Sequence, residues 1–162
     1  WPGTFMDVIS GINKLNDLDE FDLNMERLVL MGHSAGGHLA ILAGAKSGLL
    51  DLKPSLVLGL AAITDVETYA RGLNSCQESA SEFMGGGPDE LSDRYEEAQA
   101  VNYGVAPNTI LLFGTKDQIV QSSQAILPGA RSLRQEGAGH FDWIHPGTDA
   151  FSRILAVLLS EF

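Results

Sequence analysis

The segment Leu28-Val29-Leu30-Met31-Gly32-His33-Ser34-Ala35-Gly36 constrains the fold of this chain more than any other stretch. Arg27 to Met31 reads as a buried strand that runs straight into a glycine. Beyond Ser34, an Ala/Leu-rich stretch to Lys46 reads as a helix, stopped at Ser47-Gly48. A strand, a G-x-S-x-G pentapeptide and a helix with nothing between them make a tight strand-to-helix turn, the arrangement of a nucleophile elbow. Such a turn strains the backbone of Ser34 and exposes its hydroxyl at the end of a sheet. The flanking glycines keep side chains out of neighbouring elements. The N–H groups at the helix N-terminus favour negative charge beside the serine.

The remaining elements fit around that turn. Thr4 is expected to cap a first helix running to about Leu18, with Phe5, Val8, Ile9, Ile12 and Leu15 on one stripe. Leu56 to Ala62 reads as a second strand, apolar on both faces as a parallel sheet requires. From Asp65 to about Val105 the chain is polar and irregular, with short helical pieces and a break at Gly85-Gly86-Gly87-Pro88. Thr109 to Phe113 is a third strand, and Ala130 to Gln135 a fourth by position more than by pattern. Pro146 is expected to open a last helix with Phe151, Ile154, Leu155 and Leu158 against the core. Strands alternating with helices predict one α/β domain over residues 1–162, its mostly parallel sheet flanked by helices, with residues 66–105 as a lid-like insertion.

Composition removes several function classes. The longest apolar run, Leu56 to Ile63, is far short of the roughly 18 residues of a membrane span. A formal net charge of −11 opposes binding to nucleic-acid phosphates and to anionic membranes, so neither partner is expected. The single cysteine, Cys76, excludes an intrachain disulfide and a CxxC site, and reads as a passive thiol. That usage fits a reducing compartment, and a cytoplasmic location is expected.

A serine nucleophile needs a base, and the base needs an orienter. Of four histidines, His33 adjoins Ser34, and its ring is expected to point away from the attack trajectory. His38, one turn into the helix, reads as a packed or hydrogen-bonded residue, and His145 as one leading into the last helix. His140, in the glycine-rich loop Gly137-Ala138-Gly139-His140-Phe141, follows the last candidate strand and is the expected base. For the acid, Asp117 ends the strand segment Phe113-Gly114-Thr115-Lys116-Asp117, where open α/β sheets place their sites. Asp65, at the end of the second strand, competes as orienter against a loop-bracing role, and Asp142 reads as loop-bracing. The order Ser34, Asp117, His140, with gaps of 83 and 23 residues, leaves room for a strand and an insertion in the first gap.

With these residues in place, the chain resembles the esterase/lipase branch of the α/β-hydrolase superfamily, close to kynurenine formamidase-like and small carboxylesterase sequences. The resemblance rests on Trp1-Pro2-Gly3-Thr4-Phe5, Gly32-His33-Ser34-Ala35-Gly36-Gly37-His38-Leu39-Ala40, Gly114-Thr115-Lys116-Asp117-Gln118-Ile119-Val120 and Gly137-Ala138-Gly139-His140-Phe141-Asp142. It implies a Ser34-His140-Asp117 triad acting on a carboxylic ester or small acyl amide, with no metal or organic cofactor. It also implies an oxyanion hole with one donor from the Ala35 backbone N–H. In that family, strands and an HGG-type loop supplying the second donor precede the segment that begins at Trp1. Losing one donor typically costs on the order of 10²–10³ in kcat, and Gly85-Gly86-Gly87 reads as a flexible loop rather than a replacement. The expectation is therefore the C-terminal portion of the fold, whose first strand exposes an apolar edge open to self-association or to a completing N-terminal segment. The competing expectation is a hydrolase-fold fragment, weak or inactive in catalysis, that serves as a binding or assembly module. The gap between Asp117 and His140 is also short: Ser122 to Leu127 allows about two helical turns where relatives fit a full helix.

Overall fold

A computed structural model describes residues 1–162. Its centre is a sheet of four parallel strands, β1 (Val29–His33), β2 (Leu56–Leu60), β3 (Thr109–Gly114) and β4 (Arg131–Gln135), in the order β1-β2-β3-β4. Helix α1 (Gly3–Asn13) precedes β1, α2 (Ala35–Ala45) links β1 to β2, and α3 (Val66–Ala70), α4 (Ser75–Met84) and α5 (Ser92–Ala98) link β2 to β3. Helix α6 (Asp149–Glu161) ends the chain. No helix is long and apolar enough to cross a membrane.

The two faces of the sheet follow from the period of two along each strand. Leu56, Leu58 and Leu60 of β2, with Ile110 and Leu112 of β3, pack with Trp143 and with Ala150, Ile154 and Val157 of α6. Val57 and Leu111 point the other way, onto Phe5 and Ile9 of α1 and Ile41 and Leu42 of α2. Every residue of β2 is buried, as expected for a strand covered on both faces. The strand β1 lies at the sheet edge, and half of Met31 is exposed there (50%) beside an apolar groove lined by Val8, Ile12 and Leu15.

Expectations for the first and last helices are corrected. Thr4 does not cap α1. Pro2 holds the capping position without a side-chain bond, its carbonyl accepting from Met6 N–H at 3.0 Å, and the α-helix stops at Asn13 with a 3-10 turn to Asp17. The last helix starts at Asp149, because the Thr148 hydroxyl accepts from Phe151 N–H at 3.1 Å and outcompetes Pro146 as the start signal. Ala150, Ile154 and Val157 are its buried residues, Phe151 and Leu158 pack against the same core as expected, and only Leu155 of the expected stripe is largely exposed, at 48%. The short connection between β3 and β4 is as expected, with a single 3-10 turn, Ser122–Ala125.

The segment 66–105 is not a loose cover. Val66, Tyr69 and Ala70 of α3, Met84 of α4, and Tyr95 and Ala98 of α5 form a third buried cluster with Ile63 and Val120. Asn74 and Gln77 form a capping box at the start of α4, and Gly85 ends it in the left-handed conformation (φ 86°).

Candidate active site

The elbow depends on an approach that only glycine permits. A Cβ on Gly32 would lie 2.1 Å from the Gly36 carbonyl oxygen, so any side chain there would push the turn open. Ser34 then adopts φ 56° and ψ −118°, a conformation that costs a non-glycine residue about 1–3 kcal/mol. Sheet and helix hold it there. Its N–H donates to Leu60 O at 2.9 Å, and its carbonyl accepts from His38 N–H at 3.1 Å and Ile63 N–H at 3.4 Å. The Ser34 side chain does not cap α2, so its hydroxyl is not used in holding the helix.

Asp117 and His140 are brought together by the β3–β4 pairing, although 23 residues separate them. Gly114 pairs with Gln135, Lys116 N–H donates to Ala138 O at 2.9 Å, and Gly137 N–H donates to Thr115 Oγ1 at 2.8 Å. A Cβ on Gly114 would lie 2.2 Å from Ala138 O, so this second glycine lets the two loops touch. Across that contact, His140 Nδ1 lies 2.8 Å from Asp117 Oδ2, with side-chain exposures of 5% and 1%. Asp117 Oδ1 accepts from Ile119 N–H and Val120 N–H, each at 2.9 Å. Burial alone would raise the pKa of Asp117. The bond from His140 and the two backbone N–H donors together outweigh it and hold the carboxyl below its ordinary 3.8. Because a carboxylate accepts only, Nδ1 of His140 carries a proton, so in the neutral imidazole the lone pair is on Nε2.

His33 closes the gap to the elbow, which the short β3–β4 connection had put in question. Its Nε2–H donates to the His140 carbonyl at 2.8 Å, and the two rings pack with centroids 4.5 Å apart. Burial pushes the His33 pKa below its ordinary 6.5, partly offset by the bond to that carbonyl, which favours the neutral ring. His140 is thus fixed against the residue preceding Ser34, while no hydrogen bond joins the Ser34 hydroxyl to His140. In free enzymes such contacts are often long and tighten with substrate. His33→Phe, which keeps a ring but removes the donor, is expected to lower stability by about 1–3 kcal/mol through the orphaned carbonyl. Chemical denaturation would show it, and an unchanged midpoint would mean the bond contributes nothing.

The other candidates have structural tasks. Buried His38 donates from Nε2 to Ala98 O at 2.8 Å, tying α2 to the end of α5. Asp65 caps α3, accepting from Thr68 N–H at 2.9 Å and Thr68 Oγ1 at 2.6 Å, and it takes a further bond from Gln99 Nε2 at 2.8 Å. It makes no bond to a histidine. Asp142 accepts from Gly139 N–H at 2.8 Å and braces the loop that carries His140. His145 is exposed and Cys76 is a free, exposed thiol. Sequence reasoning missed Gln124, which is buried and accepts at Oε1 from the N–H groups of Thr64 and Asp65, both at 2.8 Å. It ties the end of β2 to the segment after Asp117. Nothing in the pattern around Gln124 signals this, because its partners lie about 60 residues away.

Comparison with known proteins gives the chain a family and a fold. The sequence model of a family described as BD-FAE matches residues 1–128. No curated protein matches the chain. Among solved structures, a bifunctional GH43-CE protein of Bacteroides eggerthii superposes with a TM-score of 0.78 at 19% identity, over 99% of this chain and 27% of that one. A truncated carbohydrate esterase from gut microbiota gives 0.77 at 18% identity, over 99% of this chain and 69% of its own. Esterase B of Lactobacillus Rhamnosis gives 0.76 at 17% identity, over 98% and 60%. The chain therefore spans from about a quarter to just over two-thirds of these structures, and shares their α/β fold throughout its length.

Proposed function

The chain belongs to the BD-FAE family, and on that premise we propose that it hydrolyses carboxylic esters, with Ser34 as nucleophile, His140 as general base and acid, and Asp117 as orienter of the imidazole. The observation that carries this reading is the His140–Asp117 pair, 2.8 Å apart and nearly sealed from solvent, docked on the residue before a strained serine. The names of two structural neighbours, a carbohydrate esterase and esterase B, support an ester as substrate. Small acyl amides, the class suggested by the resemblance to kynurenine formamidases, come second.

In the first half-reaction Ser34 Oγ bonds to the ester carbonyl carbon, and its proton passes to His140 Nε2. The carbonyl oxygen gains the charge and faces the Ala35 N–H at the head of α2, where the helix N-terminus favours an anion. The bond from the carbonyl carbon to the alkoxy oxygen then breaks, and the proton on Nε2 goes to that oxygen, releasing the alcohol. In the second half, a water gives a proton to Nε2 as its oxygen bonds to the acyl carbon. The Ser34–acyl bond then breaks and Oγ recovers the proton. Throughout, Asp117 stays ionised and stabilises the imidazolium formed in each half.

A fluorophosphonate probe tests the reading directly. One adduct per folded chain, mapped by mass spectrometry to Ser34 and lost in Ser34→Ala, is the expected result. A chain shown to be folded that takes no label would favour the binding-module alternative and overturn this one.

A further inference from the structure

The loop after Asp117 has little of its own to hold it. Between Asp117 and Ile126 the chain makes one 3-10 turn, yet this stretch presents the Ile119 and Val120 N–H groups that fix Asp117 Oδ1. Every hydrogen bond from residues 118–124 to a distant part of the chain goes to Thr64, Asp65 or Tyr69. The Tyr69 hydroxyl of α3 donates to Ile119 O at 3.3 Å. Gln124 accepts at Oε1 from Thr64 N–H and Asp65 N–H and donates from Nε2 to Asp65 O at 3.1 Å. Its own carbonyl accepts from the Thr64 hydroxyl. We infer, resting on the hydrolase reading above, that Gln124 and Tyr69 are positioning residues for the triad, holding the Asp117 carboxylate at the angle that orients His140.

Neither side chain bonds to Asp117 or His140, so each acts through the backbone between them. Val120 is the link. It is buried among Ile63, Val66 and Tyr69, and its N–H and that of Ile119 both end on one carboxylate oxygen. With Oδ1 held by two donors, Oδ2 is left aimed at His140 Nδ1. A loop that drifts takes those donors away, and the carboxylate is then free to turn about its Cβ–Cγ bond. The fit of Gln124 is specific. Its amide oxygen has two lone-pair sites and meets two N–H groups, while its NH₂ meets a carbonyl. An apolar residue of the same length leaves all three without these partners. The anchor is also well placed, because Thr64 and Asp65 follow Ile63, whose N–H donates to Ser34 O at 3.4 Å. Residues 63–65 therefore hold the backbone of the nucleophile on one side and the loop of the acid on the other.

Rates and a spectroscopic marker test the inference. Gln124→Met keeps length and bulk while removing both polar ends, and Tyr69→Phe removes one hydroxyl with its packing intact. With p-nitrophenyl acetate, Gln124→Met is expected to lower kcat on the order of 10–100-fold, the scale of a small displacement of a catalytic group, with KM within about twofold. Tyr69→Phe is expected to lower kcat about fivefold, the value of one hydrogen bond. The proton on His140 Nδ1 gives a downfield NMR resonance, identified by its absence in Asp117→Asn, and it should move or broaden in both variants. Amide exchange at Ile119 and Val120 should quicken more than at Leu58 and Leu112 in the sheet. Should Gln124→Met not fold, Tyr69→Phe decides by the same measures. Folded variants that keep kcat within about twofold, or leave the resonance in place, would overturn the positioning role. So would a loss of kcat with Ile119 and Val120 exchanging no faster relative to the sheet, which marks lost stability alone. If the natural chain neither turns over the ester nor takes label at Ser34, the hydrolase reading fails. The resonance and the amide exchange need no turnover, and if both variants leave them unmoved the positioning role fails too.

Discussion

Ser34→Ala is expected to remove ester hydrolysis almost entirely, with kcat falling on the order of 10⁵–10⁶-fold. Without Oγ there is no acyl-enzyme, and the oriented imidazole has only water to activate. The same position allows a second readout that does not depend on activity. The backbone at φ 56° and ψ −118° suits glycine and strains any residue with a Cβ. Ser34→Gly should therefore fold more stably than Ser34→Ala. Relief of about 1–3 kcal/mol of strain is set against about 0.5–1 kcal/mol for the extra freedom that glycine gives the unfolded chain. A net gain of about 1 kcal/mol remains, readable as a higher denaturation midpoint in the glycine variant. Both variants should be inactive. If Ser34→Gly is no more stable than Ser34→Ala, the elbow does not carry the strain its geometry implies.

Local signals in the sequence were legible, and distant ones were not. The strand, elbow and helix around Ser34 are contiguous, so the pattern Leu28 to Gly36 contains the information that builds them. The same holds for β2, whose unbroken apolar run needs a sheet covered on both faces. Asp117 and His140 could be paired because chain order and strand ends restrict the choices, and the parallel β3–β4 register does the rest. The register also shows why a full crossover helix is unnecessary. A 3-10 turn at Ser122–Ala125 spans the connection, with Gln124 holding it to Thr64 and Asp65. The bonds of Gln124 to Thr64 and Asp65 and of His33 to the His140 carbonyl are long-range choices that no periodicity encodes. The start of α6 was misplaced for a different reason. Pro146 and Thr148 are both start signals two residues apart, and only the hydroxyl bond to Phe151 N–H decides between them. The polar appearance of 66–105 likewise hid a buried cluster, because its apolar residues are spread over three short helices.

Asp117→Asn is the second large effect, and the hydrogen bonds fix its outcome. An asparagine at this position must choose which of its two side-chain ends faces the Ile119 and Val120 N–H groups. Those are donors, so they take the amide oxygen, and the NH₂ is left facing His140 Nδ1. A donor there forces Nδ1 to become the acceptor and moves the imidazole proton to Nε2. The lone pair that would accept the Ser34 proton is lost, although size and packing hardly change. A drop of about 10⁴ in kcat is expected, with near-normal KM and slow fluorophosphonate labelling of Ser34. Mild acid should not neutralise this carboxylate in the natural chain, since Asp117 stays ionised below its ordinary 3.8. The stability it gains from that depressed value is complete above 3.8 and is lost only as pH falls through the lower folded-state value. If Asp117→Asn keeps kcat within tenfold of the natural chain, Asp117 does not set the tautomer of the base, and a different group must orient His140.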